Sequence, residues 1–231
     1  SVAEQDENGL WLQWQPNDPS TNRMHPRFNT WYSLSLLDAA EFVASPAGGS
    51  NLSRAKQYVT AVTKTASTLA AVQQSSGTIY YWNTISTTGG APLPTKNAPC
   101  GSAVALALRL WLRLSFLELS STSARLYAKD TAASATTTTV DFTENIVRAV
   151  RWLLSNQFSA AHPDRSLAGS FFELGFRKIA HWASDNELDV VQRNIATTIG
   201  MHGLTDYVNV CRSADKKKQF PQQWAEICST T

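Results

Sequence analysis

The densest group of carboxylates in the sequence is Asp185, Glu187 and Asp189. Cleavage of a glycosidic bond needs two carboxyl groups, one as general acid and one as base or nucleophile. The same stretch, Ser184-Asp185-Asn186-Glu187, matches a capping box at a helix N-terminus. Negative charge there complements the helix macrodipole. We favour this structural interpretation, and a catalytic role for Asp185 and Glu187 is the alternative.

His202 is the better candidate for acid–base chemistry. It stands between Gly200 and Gly203, where a turn between two helices is expected, and Asp206 follows four residues later. An imidazole held beside a carboxylate can move a proton near neutral pH. We therefore predict His202 and Asp206 as candidate catalytic residues, although an ordinary place in a turn is the favoured interpretation.

His181 is the second histidine candidate. It follows Glu173 by eight residues and Arg177 by four, so the three lie along one face of a helix. A carboxylate beside the imidazole would suit general acid or base catalysis. The favoured interpretation is simpler: Glu173 and Arg177 form a surface ion pair, and His181 lies near the helix C-terminus, which stabilises its cation.

Arg109 and Arg113 interrupt the most apolar stretch of the chain, residues 103–119. Each would cost about 2.5–3.5 kcal/mol at the centre of a bilayer, so this stretch predicts a buried helix rather than a membrane span. An arginine on such a helix must reach a carboxylate, a carbonyl or solvent. The pair binds a ligand if the helix lines a cavity. It extends to the surface if the helix lies nearer solvent, and this second reading is favoured.

The sequence contains eight tryptophans. Four of them, Trp11, Trp14, Trp31 and Trp82, fall in loops or where helices begin, not at the centre of an apolar stripe. Indole rings in such places suit stacking on sugar rings. The same four can instead anchor the N-terminal arm by packing, which is slightly favoured.

Composition places the 231-residue chain among globular proteins. Hydrophobic residues make up 43% and charged residues 16%, which is enough for a core and too little charge for a disordered chain. The net charge is only +2, and Lys216-Lys217-Lys218 is the one cationic run, so nucleic acid is not an expected partner. Phosphate-binding, dinucleotide, hydrolase and zinc motifs are absent, so we predict neither a metal nor a cofactor.

Two further patterns bear on the compartment. Of three cysteines, Cys211 and Cys228 are the expected disulfide pair because both lie in the C-terminal segment. Asn51-Leu52-Ser53 matches the acceptor pattern for N-glycosylation, although we favour Asn51 as a helix N-cap. The compartment stays open, with a lean towards export.

Hydrophobic spacing predicts one all-α domain over residues 1–231, with an irregular N-terminal arm over about residues 1–28. Asp141-Phe142-Thr143-Glu144 resembles a capping box, and Gly200 is expected to close a helix. Residues 78–82 are β-prone and predict a short extended segment. Short turns between helices favour an α-hairpin array. Roughly eight helices are expected, over about residues 30–44, 53–74, 101–119, 123–131, 141–158, 166–183, 184–200 and 204–212, with a short one around Trp224.

Parts of the chain resemble the α/α-toroid superfamily, which includes terpene cyclases and many polysaccharide-processing enzymes. The similar stretches cover roughly a third of the chain and consist of packing residues. None of the superfamily's catalytic motifs matches, and the chain is too short for six full hairpins, so the resemblance implies at most a partial toroid. The stretches are Asn8-Gly9-Leu10-Trp11, Asn29-Thr30, residues 36–41, Arg54-Ala55-Lys56, residues 73–77, Trp82, and residues 149–157 with their Leu-Leu-x-x-Gln ending.

These observations predict a carbohydrate-active helical protein. Its site would be a tryptophan-lined cleft that binds an oligosaccharide, where carboxylates such as Asp38, Glu41 or Asp185 and a histidine transfer protons. The alternative is a self-assembling coat or scaffold subunit. In that case the N-terminal arm and the Ser/Thr-rich residues 131–139 would contact other subunits, and Arg109 and Arg113 would be buried pairing groups or would hold a ligand.

Overall fold

The structure is a computed structural model that describes residues 2–13, 23–80, 83–84, 93–94, 99–117, 140–157, 160–161, 165, 168–171, 185–213 and 228. The backbone alone is described at residues 23, 83–84, 93–94 and 185–196. The predicted helices over 123–131 and 166–183 and around Trp224 lie outside these residues.

Five α-helices form the described part of the chain. They are α1 (Pro26–Ala44), α2 (Leu52–Val72), α3 (Gly101–Ser115), α4 (Thr143–Ser155) and α5 (Asp185–Arg212). Short 3-10 turns span Val2–Glu4 and Pro46–Gly48. Strands β1 (Arg23–Met24), β2 (Asn83–Thr84) and β3 (Leu93–Pro94) form a small antiparallel sheet in that order. The helical fold class is confirmed, and the count of eight helices stays a prediction.

Helix α3 is the centre of the bundle and contacts α1, α2, α4 and α5. Every residue from Gly101 to Leu114 is buried except Arg109 and Arg113, which are partly exposed. The indole nitrogen of Trp111 donates to the Ala66 carbonyl of α2 at 3.1 Å. A helix that is apolar nearly all round needs neighbours on every side, which is why the other helices surround it. No described helix is long and apolar enough to cross a lipid bilayer.

Helix α1 begins four residues earlier than predicted. Pro26 occupies its first position, where the fixed φ of proline suits a helix and the missing N–H costs nothing. The irregular arm is therefore shorter than residues 1–28.

Helix α2 is capped by Asn51, because its Oδ1 accepts a hydrogen bond from Arg54 N at 3.0 Å. The N-cap prediction for Asn51 is confirmed.

The described part of the N-terminal arm packs along α2. Hydroxyl groups of the helix fasten its backbone: Thr65 Oγ1 donates to the Gly9 carbonyl at 2.5 Å, and Thr68 Oγ1 donates to the Asn8 carbonyl at 2.5 Å. Leu10 and Trp11 then enter the core. The arm is thus part of this chain's own packing.

Helix α5 corrects the prediction that Gly200 closes a helix. The helix runs without a break from Asp185 to Arg212. A Cβ on Gly200 would lie 2.9 Å from the Phe171 ring, and one on Gly203 would lie 2.9 Å from the Ala105 carbonyl oxygen of α3. Both glycines therefore allow close packing within a continuous helix, so a pattern that resembled a C-cap has a tertiary cause.

The predicted capping box with Asp141 as the cap is wrong: Phe142 occupies the N-cap position without a side-chain cap, Asp141 Oδ1 accepts from Thr143 N at 2.8 Å, and Glu144 binds Arg148. The prediction of an extended segment holds in part. The extended segment is present as far as Tyr80, which bridges Pro99 in antiparallel fashion. The rest of that segment lies beyond the described residues.

The predicted disulfide is confirmed. Cys211, at the end of α5, is joined to Cys228 with 5.5 Å between their Cα atoms. Cys100 is buried next to the start of α3, with its Sγ 3.5 Å from Ser102 Oγ. The bridge ties the C-terminal segment to the end of α5.

Candidate ligand-binding site

Arg113 joins α3 to α1 through two carboxylates. Its Nη1 donates to Asp38 Oδ1 at 2.6 Å, and its Nη2 donates to Glu41 Oε1 at 2.7 Å. Burial alone would lower the pKa of Arg113, but the hydrogen bonds and charges of Glu41 and Asp38 outweigh it and raise that pKa above its usual value. The carboxylates that the sequence offered for catalysis thus hold two helices together here.

Arg109, one turn earlier on the same face of α3, makes a matching contact with α5. Its Nε donates to Asp206 Oδ2 of α5 at 2.6 Å, and both side chains are partly exposed. Since α5 is continuous, His202 is not in a turn but on the helix surface, where it is exposed. Asp206 faces Arg109, and no hydrogen bond joins it to His202 among the described residues. Both arginines therefore reach a carboxylate, which is one of the three environments that the sequence predicts for them, the others being a carbonyl and solvent.

The other predicted catalytic residues are Asp185, Glu187 and His181. Asp185 and Glu187 lie in the first turn of α5, which agrees with the helix-start interpretation. Their side chains, and all of His181, lie outside the described residues.

Of the four predicted tryptophans, two are described, and they differ. Trp11 is only 2% exposed, its backbone N donates to Asn29 Oδ1 at 2.9 Å, and its ring meets Tyr32 edge-on with 6.2 Å between ring centroids. It is an anchor for the arm, in line with the packing interpretation. Trp31 is 36% exposed and remains available to a ligand. Trp14 and Trp82 lie outside the described residues.

Trp31 belongs to a group of polar and aromatic side chains where the first turns of α1 and α3 meet. Arg27, the second residue of α1, is only 7% exposed, and its Nη1 donates to Ser102 Oγ in the first turn of α3 at 3.3 Å. We call this group the α1–α3 cluster, and it consists of His25, Arg27, Phe28, Trp31, Cys100 and Ser102.

Arg27 is a buried cation held mainly by aromatic rings. Its guanidinium carbon lies 5.1 Å from the centroid of Phe28 and 5.6 Å from that of Trp31, within the range of cation–π attraction. Its Nε has no hydrogen-bond partner, and no described carboxylate pairs with it. The first turns of two helices add positive potential of the same sign. Arg27 therefore gives the cluster a positive charge and contributes donors only.

The aromatic members form a ladder along the start of α1. His25 meets Phe28 edge-on at 4.9 Å between centroids, and Phe28 meets Trp31 edge-on at 5.2 Å. Burial, and then the charge of Arg27, lower the pKa of His25 to about 2. The imidazole is therefore neutral at physiological pH. Trp31 is the exposed member of these three rings, at 36%.

Sequence reasoning missed His25, Arg27 and Ser102. The signal was present in the order His25-Pro26-Arg27-Phe28, with Trp31 three residues beyond the phenylalanine. Placing the start of α1 at residue 30 assigned this stretch to the irregular arm, so its helical spacing was not considered. Recognising Pro26 as a first-turn proline would have put these side chains on one helix end.

A cleft of about 480 Å³ lies elsewhere, between the arm and α2. It has no aromatic lining, so it suits a sugar ring less well than Trp31 does. Its lining consists of Val2, Gln5, Asp6, Ser53, Lys56, Gln57, Thr60, Ala61 and Lys64.

Within the described ranges, no group of three or more His, Cys, Asp or Glu side chains could hold a metal ion. No protein-family model, curated protein or solved structure matches this chain.

Proposed function

We propose that this chain is a carbohydrate-binding helical protein whose ligand stacks on Trp31 at the α1–α3 cluster. The observation that carries the proposal is the half-open indole of Trp31, held edge-on by Phe28 with the Arg27 guanidinium against it. The C–H face of a sugar packs on an indole ring, and a rigid aromatic platform loses little conformational entropy on binding.

Polar donors beside the platform support the same proposal. Arg27 supplies N–H groups that suit the hydroxyl or carboxylate oxygens of a sugar. Arg27 bonds only a serine hydroxyl among the described residues, and because its Nε is buried, the donors it offers to a ligand are those of its terminal nitrogens. An aromatic face with adjacent donors is a binding arrangement, and it needs no proton transfer.

Glycan cleavage needs more from a site than glycan binding does. It requires two carboxyl groups about 5–10 Å apart at an open site. Asp38, Glu41 and Asp206 are each engaged by an arginine. We therefore propose binding as the activity, and His181, Asp185, Glu187 and His202 remain the candidates for any catalytic step.

For the fold, we propose the hairpin array that the toroid resemblance implies. Helices α1 and α2 form one α-hairpin through the Pro46–Gly48 turn, and α3 packs against both. This arrangement supports one hairpin of such an array.

The alternative, a self-assembling subunit, has one observation in its favour: Phe42 and Leu52 are large exposed apolar side chains at the same end of the α1–α2 hairpin. Against it, the described part of the arm packs on its own α2 and is not free to reach a second subunit. Light scattering distinguishes the two, since large regular assemblies would support the subunit and a monomer would support the binding protein.

The test is a titration with a panel of neutral and acidic oligosaccharides, followed by tryptophan fluorescence and calorimetry. Trp31→Ala should weaken binding by about 1 kcal/mol or more, roughly fivefold in Kd. Phe42→Ala is the matched control, because it removes an exposed aromatic ring from the other end of the same helix. Failure of the whole panel to bind, or equal affinity of Trp31→Ala and the wild type, would contradict the proposal.

A further inference from the structure

Asn51-Leu52-Ser53 is the only Asn-x-Ser/Thr sequence in the chain. It lies at the corner between α1 and α2, after Gly49 and Ser50, whose φ angles are both positive. Asn51, Leu52 and Ser53 are all solvent-exposed. An acceptor sequence on an exposed turn is where a bulky glycan can be accommodated.

The capping role of Asn51 leaves its amide nitrogen available. The N-cap hydrogen bond uses Oδ1, which accepts from Arg54 N. Nδ2, the atom that carries an N-linked sugar, has no hydrogen bond to the described residues. An N-cap and a glycan attachment point therefore use different atoms of the same amide, so the two roles proposed for Asn51 are compatible.

Two large apolar side chains are exposed close to Asn51 in the chain. Leu52 is 41% exposed and Phe42 is 59% exposed. Asn51 N donates to the carbonyl of Val43, the neighbour of Phe42, at 2.7 Å, so the backbone that carries Phe42 adjoins the asparagine. Apolar side chains that together form one exposed patch promote association. A glycan on Asn51 would cover this corner with a hydrophilic group.

The disulfide is an independent observation about compartment. Cys211 and Cys228 are joined, and disulfides persist in oxidising compartments such as the secretory pathway. That pathway is also where asparagines in this sequence pattern receive glycans. The exposed acceptor sequence, its available amide nitrogen and the disulfide are thus all consistent with glycosylation in the secretory pathway.

We infer that Asn51 is an N-glycosylation site and that its glycan shields the apolar corner of the α1–α2 hairpin. The donor is an oligosaccharide on a lipid diphosphate. A bond forms between Asn51 Nδ2 and the anomeric carbon of the first sugar, and the bond from that carbon to the diphosphate oxygen breaks. The amide nitrogen gives up one proton to a base of the transferase, and the lipid diphosphate leaves with the bonding electrons.

The experiment uses the full chain isolated from the cells that make it. Peptide-N-glycosidase in ¹⁸O-water should lower the mass of the intact protein and leave an ¹⁸O-labelled aspartate at position 51, found by peptide mass spectrometry. An unmodified Asn51 would overturn the inference, whether Cys211 and Cys228 are found bridged or reduced. The measurement on the wild-type chain does not depend on any variant folding.

Two variants of one residue separate the glycan from the cap. Ser53→Ala destroys the acceptor sequence and keeps Asn51 as the cap, whereas Ser53→Thr preserves both. We expect Ser53→Ala to lose the glycan completely and to aggregate more than Ser53→Thr in light scattering. Adding Phe42→Ser to Ser53→Ala should reverse that aggregation. A glycan that persists in Ser53→Ala would overturn the assigned site, and equal aggregation of the two single variants would overturn the shielding role.

Discussion

His25 is expected to make the fold labile to mild acid. Its pKa is about 2 in the folded protein, because burial and then the charge of Arg27 disfavour the imidazolium, and its ordinary value is 6.5. Between these values the unfolded chain binds a proton that the folded chain does not. The contribution of neutral His25 to stability is therefore full above about pH 6.5 and is lost progressively as the pH falls towards 2.

The size of the effect follows from that difference. Each pH unit below 6.5 lowers the free energy of unfolding by about 1.4 kcal/mol. At about pH 4.5 the loss is roughly 3 kcal/mol, a large part of the 5–15 kcal/mol typical of a domain. His25→Gln keeps a neutral polar side chain at every pH, so its stability should fall less over this range by the same roughly 3 kcal/mol.

The assay is urea unfolding of the wild type and His25→Gln at about pH 7 and about pH 4.5, followed by circular dichroism. His202→Gln is the matched control, because it makes the same substitution at an exposed position of α5 and should keep the wild-type dependence on pH. Equal dependence on pH in the wild type and His25→Gln would refute the reasoning, since it would mean that the buried imidazole binds protons alike in both states.

Three further predictions concern packing and cross-links. Gly203→Ala places a Cβ 2.9 Å from the Ala105 carbonyl oxygen and should cost about 1–3 kcal/mol in urea unfolding; an unchanged midpoint would mean that α3 and α5 are not in close contact. Cys211→Ser together with Cys228→Ser should cost about 3 kcal/mol for a bridge across 17 residues. Reductant should bring the wild type to the same stability, and a wild type that does not respond would contradict the bridge. Arg113→Met should cost about 1 kcal/mol because its ion pairs are partly exposed, and that cost should shrink in about 1 M salt; a cost that does not depend on salt would exclude an electrostatic origin.

The chain offers matched controls for two of these variants. Thr198→Ala changes an exposed residue of the same helix as Gly203, and Arg151→Met removes an exposed arginine from α4. Both should change stability by less than about 0.5 kcal/mol.

Periodicity alone predicted most of the helical framework, because α1, α2 and α4 each bury one broad face and α3 is apolar nearly all round. Helix ends were harder to predict. Pro26 and Gly200 are each compatible with two structural roles. Proline can end a helix or occupy its first turn, and glycine can close a helix or allow close packing within it. Which role applies depends on what packs against the residue, such as Phe171 against Gly200.

The candidate site was less predictable for a related reason. An arginine on an apolar helix must reach a carboxylate, a carbonyl or solvent, and that requirement can be read from residue type. The identity of the partner cannot, because Asp38 and Asp206 lie 75 and 97 residues from Arg113 and Arg109. The α1–α3 cluster likewise depends on Arg27 meeting Ser102 across 75 residues.

The threonines of α2 show how one residue type can serve two structural needs. Thr65 and Thr68 are poor helix formers on propensity, yet their hydroxyl groups bind the backbone of the N-terminal arm. Replacing them with alanine would strengthen the helix in isolation and leave the arm's carbonyls without partners. A redesign of α2 for helix propensity alone would thus detach the segment that carries Trp11 into the core. The isolated helix would be more stable, and the folded protein less stable.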